Sequence, residues 1–321
     1  MPKLLKPRPA RPEEWAQAFQ LIFQHLPKED RQTRVQNALR LMRQGELAPA
    51  GVIVVAGHRA LQGAIVCLAV AGASGLVWPP QASSSSAKRE IEDQLLTYGI
   101  AWLRQGGAKL GQTLLAEDES HLAAPLERHG FVHITSLWYM RHDLDVPPAL
   151  PAAAAELTFE SYSTCDRALF ARTLLRSYEG TRDCPEVNGV RSLQEVLEGH
   201  QAQGIHDPEH WWLARQGGQA AGVLLVAEIS EWQGWDLSYV GVVPEARGRG
   251  IGRGITLKAV HEARAAGATQ VTLAVDTRNR PAWNLYLGLG FEPFDRREVH
   301  LAIWNNHRRE EIGREAGLIG P

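Results

Sequence analysis

The feature that most constrains the fold of this chain is an internal repeat. Four landmark pairs are each 160 positions apart: Gly107 and Gly267, Ala108 and Ala268, Gly130 and Gly290, and Phe131 and Phe291. The predicted elements follow one order in both halves, which is helices, a hairpin, a strand, a long helix, and then strand, helix and strand. Because matching glycines and alanines are common by chance, the element order carries more weight than the identities. The sequence therefore predicts one α+β fold present twice.

A proline- and alanine-rich segment, VPPALPAAAA at residues 146–155, separates the two halves. This composition is typical of a partly stiff linker. We expect a first domain over residues 1–145, a second domain over 156–305 and a polar tail over 306–321. A length of 321 residues agrees with two domains of about 150 residues each.

Composition and patterning argue against several classes of protein. The 34 basic and 36 acidic residues give a net charge of −2, which argues against a protein that coats nucleic acid. There is no run of about 18 apolar residues, and the N-terminal segment lacks the apolar region of a secretory signal. Three widely spaced cysteines without a CxxC motif favour the reducing cytoplasm over disulfides or a zinc site. His129 and His133 are separated by a helix-breaking glycine, so no metal centre is expected.

The strongest chemical signal is the segment YVGVVPEARGRGIGRGI, residues 239–255. An apolar strand ends at Pro244, and a loop then leads into a helix. Glycines let backbone N–H groups turn inward at a helix N-terminus, which attracts anions, and arginines add charge that pairs with phosphate. The glycines are Gly248, Gly250 and Gly252, and the arginines are Arg247, Arg249 and Arg253. The pattern predicts a site for a diphosphate.

Other interpretations of this loop fit less well. A Walker loop needs Gly-Lys-Ser/Thr, which does not follow here. A dinucleotide fingerprint belongs after the first strand of a βαβ unit, whereas this loop follows a fourth strand behind a hairpin. A glycine-rich turn with solvated arginines is the purely structural alternative.

Together with a second segment, DTRNRPAWNLYLGLGF at residues 276–291, the loop resembles the GCN5-related N-acetyltransferase (GNAT) family. The diphosphate motif of that family, Arg/Gln-x-x-Gly-x-Gly/Ala, matches residues 247–252, which include Ile251. Its second signature matches Asn279, Ala282, Leu285-Tyr286 and Gly290-Phe291. The resemblance covers about residues 157–304. With the repeat, it implies two tandem acyl-CoA N-acyltransferase domains, each a mixed, mostly antiparallel sheet flanked by helices.

The resemblance also implies the reaction, which is transfer of an acetyl group from acetyl-CoA to an amine of a small molecule or peptide. Residues 247–253 would hold the diphosphate, and the backbone of Val242 and Val243 would pair with the pantetheine arm. Asn279 would bond the same arm, and Tyr286 would protonate the departing thiolate. This assignment agrees with thioester chemistry, which benefits from a polarising N–H and a hydroxyl near the sulfur. No placed nucleophile is visible, so direct attack by the amine is expected.

The base that deprotonates the acceptor is left open among three acids and a chain of waters. Asp236 occupies the place where histone acetyltransferases of the family have a glutamate, but its side chain is one methylene shorter. Asp276 and Glu228 are the second and third candidates. Four tryptophans near the hairpin either wall an acceptor cleft or pack in the core; they are Trp211, Trp212, Trp232 and Trp235.

The first half lacks the residues that carry this chemistry. The residue 160 positions before Tyr286 is Leu126, and the residue 160 before Asn279 is Glu119. Where the Gly/Arg loop is expected, residues 78–90 read WPPQASSSSAKRE, although its serines could still donate to an anion. We therefore expect a degenerate, non-catalytic first domain and a catalytic second one. The alternative function is an acyl-CoA-binding sensor or scaffold without turnover.

Overall fold

The computed structural model describes residues 6–57, 60–83, 86–145 and 157–304. Two compact units form, unit 1 from residues 1–134 and 298–321 and unit 2 from residues 135–297. The helices are α1 (Trp15–Ile22), α2 (Lys28–Gln44), α3 (Lys88–Gln105), α4 (Ala123–Arg128), α5 (Arg167–Ser177), α6 (Leu193–Gln201), α7 (Ile251–Ala265) and α8 (Arg280–Leu287). The strands are β1 (Arg8–Pro9), β2 (Val52–Ala56), β3 (Leu61–Val70), β4 (Ser74–Ala82), β5 (Leu110–Leu115), β6 (Val132–Asp143), β7 (Leu157–Ser161), β8 (Trp211–Gln216), β9 (Gln219–Ile229), β10 (Gly234–Val242), β11 (Gln270–Asp276) and β12 (Glu292–Ile303).

The sheet of unit 1 has the strand order β1-β2-β3-β4-β5-β12. Its neighbouring strands are antiparallel except β4 and β5, which are parallel. Val52 and Val54 pack in a core with α1 and α2, whereas Ile53 and Val55 pack in a second core with α3. Successive side chains of a strand point to opposite faces of the sheet. Because all four residues 52–55 are buried, helices cover this sheet on both faces.

The sheet of unit 2 has the order β6-β11-β10-β9-β8-β7, and again only one neighbouring pair, β10 and β11, is parallel. Val223 and Leu225 pack against Phe170 of α5 on one face. Leu224 packs in the core of α7 and α8 on the other face. Both units are therefore mixed, mostly antiparallel sheets between helices, as the sequence predicted.

The repeat is visible in the element boundaries. Strands β4 and β10 begin and end 160 positions apart, and so do β6 and β12. The connection that follows differs, because five residues join β4 to α3 and eight residues, 243–250, join β10 to α7. The extra length lies in the Gly/Arg loop, which is defined here as residues 243–250.

The two units exchange the last strands of the sequence halves. Residues 135–143 belong to unit 2, where Leu137–Asp143 pair with β11, and residues 298–303 belong to unit 1, where they pair with β5. The division of the sequence at 146–155 did not predict this exchange. Alternating apolar and polar residues identify a strand but not the sheet that it joins. The expected linker itself lies outside the described residues.

Candidate functional site

The parallel strands β10 and β11 separate along their length. In the described residues their backbones pair only at Trp235 with Val271 and Asp236 with Thr272. The register of β10 with β9 then shifts between Asp236 and Tyr239. Beyond this irregularity a gap opens between the two strands, and we call it the β10/β11 opening.

The backbone of Val242 faces this opening. The amide of Val243 donates to the carbonyl of Ala221 at 3.0 Å, so that residue points toward β9. Backbone groups alternate in direction along an antiparallel ladder, so Val240 and Val242 point toward β11. Of the two residues expected to pair with a pantetheine arm, only Val242 has an amide directed into the opening; the Val243 amide is already bonded.

The Gly/Arg loop and the start of α7 carry a row of backbone N–H groups. Gly248 and Gly250 have φ values of 76° and 77°, a conformation that L side chains rarely adopt. Gly250 caps α7 without a side-chain hydrogen bond. Across the described part of the chain, the N–H groups of residues 248–253 have no hydrogen-bond acceptor. Six free donors at a helix N-terminus suit an anion, because the helix dipole adds positive charge there.

Two of the three arginines in residues 247–253 have structural partners. Arg247 donates to the backbone carbonyls of Val242 at 3.1 Å, Ser177 at 3.0 Å and Gly180 at 3.4 Å. Arg253 donates to the carbonyl of Gly288 at 3.1 Å. The carbonyls at the end of a helix lack partners within the helix, which is why these side chains turn toward α5 and α8. Both guanidinium groups add positive charge near the loop. Their hydrogen bonds also tie the loop and the start of α7 to the ends of α5 and α8.

Arg249 is exposed and lines a cleft of about 620 Å³ beside the loop. Three further arginines line it, Arg172, Arg176 and Arg215. Arg176 pairs with Glu245 at 2.8 Å and Arg215 with Glu160 at 2.7 Å. The surroundings of the Gly/Arg loop are thus rich in positive charge.

Asn279 and Tyr286 belong to α8, on the other side of the opening. The side chain of Asn279 caps α8 by accepting a hydrogen bond from the Ala282 amide at 3.4 Å. Tyr286 is 8% exposed and packs against Phe291 with ring centroids 5.7 Å apart. Burial raises the pKa of Tyr286, so its hydroxyl keeps its proton at neutral pH. That hydroxyl has no hydrogen-bond partner among the described residues.

Asp276, at the end of β11, is a poor base. Its fully buried carboxylate accepts hydrogen bonds from Thr135 at 2.7 Å, the Cys184 amide at 3.0 Å and both the amide and guanidinium of Arg278. Burial alone would raise the pKa of Asp276, but the bonds from Arg278 and Thr135 outweigh it and lower that pKa. A carboxylate held ionised in this way has little affinity for a proton.

The other two candidate bases lie on opposite faces of the sheet. Glu228 is exposed and sits across from Trp235, whose side chain packs on the α7 face. Directly opposite residues share a face, so Glu228 lies away from the neighbouring Asp236. Asp236 accepts from Thr272 at 3.0 Å and Ser238 at 3.2 Å, and burial raises its pKa. Asp236 is therefore a candidate base whose pKa is raised, whereas the pKa of Asp276 is lowered.

The sequence patterns missed the segment between α5 and α6, residues 178–192, which we call the α5–α6 connector. Here Asp183 and Cys184 lie against Asp276, with one potential ligand atom of each within 4.8 Å of the others. The Arg278 guanidinium already supplies a cation to this group. An Asp-Cys-Pro-Glu run between two helices was the available signal, but no spacing rule connected it to β11.

The tryptophans pack rather than wall a cleft. Trp211 lies in the α5-side core, and Trp212 and Trp235 lie in the α7-side core. A Cβ atom placed on Gly234 would fall 1.8 Å from the ring of Trp232, so that ring covers the backbone there. Core packing explains Trp211, Trp212 and Trp235, whereas Trp232 packs on the backbone at Gly234.

Comparison with known proteins places these features in context. Residues 175–291 match the model of the acetyltransferase (GNAT) family. A mycothiol acetyltransferase of Thermobispora bispora is 33% identical over 170 residues, covering 50% of this chain and 55% of that protein. One from Nocardioides sp. is 36% identical over 199 residues, covering 56% and 64%. The matched part of this chain thus spans little more than half the length of these curated relatives.

Two solved structures share the fold. A GCN5-related N-acetyltransferase from Sphaerobacter thermophilus has a TM-score of 0.61 at 20% identity and covers 95% of this chain and 97% of its own. A tandem GNAT protein from the clavulanic acid biosynthesis pathway has a TM-score of 0.51 at 18% identity, covering 94% and 98%. The duplicated layout therefore has structural parallels along nearly the whole chain.

None of the described helices of this chain is both long enough and apolar enough to cross a bilayer.

Proposed function

We propose that this chain transfers an acetyl group from acetyl-CoA to a primary amine, with unit 2 as the catalytic unit, because residues 175–291 match the model of the acetyltransferase (GNAT) family. The observation that carries the proposal is the row of free N–H groups of residues 248–253, directly beside the β10/β11 opening. The name shared by the sequence relatives, mycothiol acetyltransferase, favours a small-molecule acceptor.

Different residues of unit 2 bind the coenzyme and take part in the acetyl transfer. The N–H groups of residues 248–253 bind the diphosphate of the coenzyme, and the amide of Val242, which faces the β10/β11 opening, binds its pantetheine arm. The acceptor amine attacks the thioester carbonyl directly, which forms the C–N bond and breaks the C–S bond. Tyr286 gives a proton to the departing sulfur, since its hydroxyl is protonated and has no other partner among the described residues. Asn279 positions Tyr286 by capping the start of α8.

We propose that unit 1 is a non-catalytic copy. Glu119, which corresponds to Asn279, pairs with His25 at 3.1 Å. Buried Leu126 takes the place of Tyr286. Unit 1 therefore lacks the amide and the hydroxyl that Asn279 and Tyr286 contribute in unit 2.

A matched pair of glycine substitutions tests the binding site. Gly250 and Gly45 have φ values of 77° and 78°, and an added Cβ would meet nothing within 4 Å at either position. Gly250→Asp and Gly45→Asp should therefore impose a similar backbone cost of about 1–2 kcal/mol. Only G250D also places a carboxylate in the anion site, so it should weaken acetyl-CoA binding at least about 10-fold, while G45D binds normally.

Titration calorimetry measures both variants. The wild-type chain should bind one acetyl-CoA, and an unchanged affinity in G250D would refute the loop assignment. Two sites per chain would refute the assignment of unit 1. Coenzyme binding without thiol release, over a panel of a hexosamine, a polyamine and a cysteine derivative with a free amine, would indicate an acyl-CoA sensor instead of an enzyme.

A further inference from the structure

We propose that Asp183, on the α5–α6 connector, binds the ammonium group of the acceptor and accepts its first proton. The inference rests on the proposed acetyl transfer and names a residue that none of the sequence motifs includes. It is carried by the placement of a partly exposed carboxylate against Asp276, at the end of β11.

The connector is fixed against β11 by contacts that hold Asp183 in place. The Cys184 amide donates to Asp276 at 3.0 Å, and Arg278 makes two hydrogen bonds to Glu186 at 2.6 Å and 3.0 Å. Cys184 adopts the left-handed conformation with φ 40°, which is unfavourable for a side-chain-bearing residue. Such strain persists only where surrounding contacts impose it, and it often marks a functional position.

Asp183 differs from its neighbouring acids in the kind of contact that it has with Arg278. Asp276 and Glu186 share Arg278, whereas no ion pair to Asp183 exists within the described ranges. The charged groups that influence the Asp183 carboxyl are Asp276 and Arg278, and the groups that its charge influences are Tyr178, Tyr239, Tyr286 and Cys184. A partly exposed carboxylate near neutral hydroxyls is stabilised by an arriving ammonium group.

The environment also suits Asp183 for proton transfer. Burial, and then the charge of Asp276, raises the pKa of Asp183 to about 6. A base is most effective when its pKa lies near the working pH. Asp276, by contrast, is held ionised by its donors, which suits it to orienting the connector.

The proton balance is complete without a further reactant. One proton of the ammonium group goes to the Asp183 carboxylate, and the freed lone pair attacks the thioester carbonyl. The nitrogen loses a second proton as the C–S bond breaks, and this proton replaces the one that Tyr286 gives to the thiolate. The proton on Asp183 then leaves to solvent, so that each turnover releases one proton.

The test is the pH dependence of kcat/KM in Asp183→Asn, using acetyl-CoA and the best amine of the panel. Wild type should lose activity below about pH 6 as Asp183 becomes protonated. D183N should be slower by about 10²-fold or more and should lack this acidic limb. Acetyl-CoA affinity should be unchanged, which shows that the variant is folded. Glu186→Gln is the matched control, because it loosens the connector and should retain the limb.

The outcomes separate this inference from the proposed function. An active wild type together with a D183N variant that keeps its rate or its acidic limb overturns the role of Asp183 alone. A wild type that releases no thiol with any amine overturns the acetyl transfer itself. A second measurement needs no turnover: with 13C-labelled aspartate carboxyls, the signal absent from D183N should shift when the amine is added, and a signal that does not move overturns the ammonium contact.

Discussion

At the scale of single residues, unit 2 separates side chains that hold the site from groups that face the reactants. Arg247 and Arg253 donate hydrogen bonds to backbone carbonyls, while the backbone N–H groups of residues 248–253 have no acceptor in the described structure. The motif singled out residues 247–253 as the diphosphate site. It did not show that backbone groups, more than guanidinium groups, are available to the diphosphate.

Tyr286 should be needed for chemistry and not for coenzyme binding. Tyr286→Phe keeps the ring that packs against Phe291 and removes only the hydroxyl. We expect kcat to fall by about 10²-fold or more, because loss of a positioned acid typically has that effect. Acetyl-CoA affinity should stay within a factor of about two, a negligible difference in free energy.

Steady-state kinetics with calorimetry on the same preparations measures this effect. Tyr98→Phe, in α3 of unit 1, is the control and should change neither quantity. A Tyr286→Phe enzyme as fast as wild type would show that another group protonates the thiolate.

At the scale of elements, the end of β11 and the α5–α6 connector form one hydrogen-bonded assembly. Arg278 contacts both Asp276 and Glu186, and the fully buried carboxylate of Asp276 depends on it for charge balance. Removing one partner of such a group is costly, because the remaining charge stays buried.

Arg278→Lys tests the strength of this assembly. Lysine keeps the charge but cannot make the forked contacts to two carboxylates, so we expect the free energy of unfolding to fall by about 1–3 kcal/mol. Arg40→Lys is the matched control, since Arg40 makes one exposed bond to Gln44, and its effect should stay within about 0.5 kcal/mol. Urea denaturation measures both, and equal midpoints would contradict the role of Arg278.

Local patterns predicted the elements well and the assembly of distant elements poorly. The Gly/Arg loop, the start of α7 and the placement of Tyr286 on a helix follow from glycines, Pro281 and apolar spacing within short windows. Asp183 could not be found in that way, because its proposed role depends on its contact with Asp276 of β11, which lies about 90 residues further along the chain. Asp236 and Glu228 were the first and third candidate bases in the sequence, and only the sheet register showed that they lie on opposite faces.

At the scale of the whole molecule, each compact unit contains a strand from the other half of the sequence. Residues Leu137–Asp143 pair with seven residues of β11, and Met140 is fully buried in the core of α7. A second half produced alone would therefore leave β11 as an exposed edge and its core incomplete. Exposed edge strands promote aggregation.

Residues 156–321 expressed alone should accordingly be aggregated or melt well below the full chain. Co-expression with residues 1–145 should restore the soluble fold, because the missing strand is then supplied in trans. Thermal unfolding and size-exclusion chromatography report the result. An isolated second half that is monomeric and as stable as the full chain would contradict the exchanged-strand architecture.

The most direct test of the account is to quantify free thiol and acetylated amine together in reactions of the full chain with acetyl-CoA and the amine panel. The account predicts equal amounts of both products for at least one amine, strong loss of both in Gly250→Asp and retention of both in Gly45→Asp. Thiol release without an acetylated amine, or turnover that is undiminished in Gly250→Asp, would contradict acetyl transfer at the β10/β11 opening.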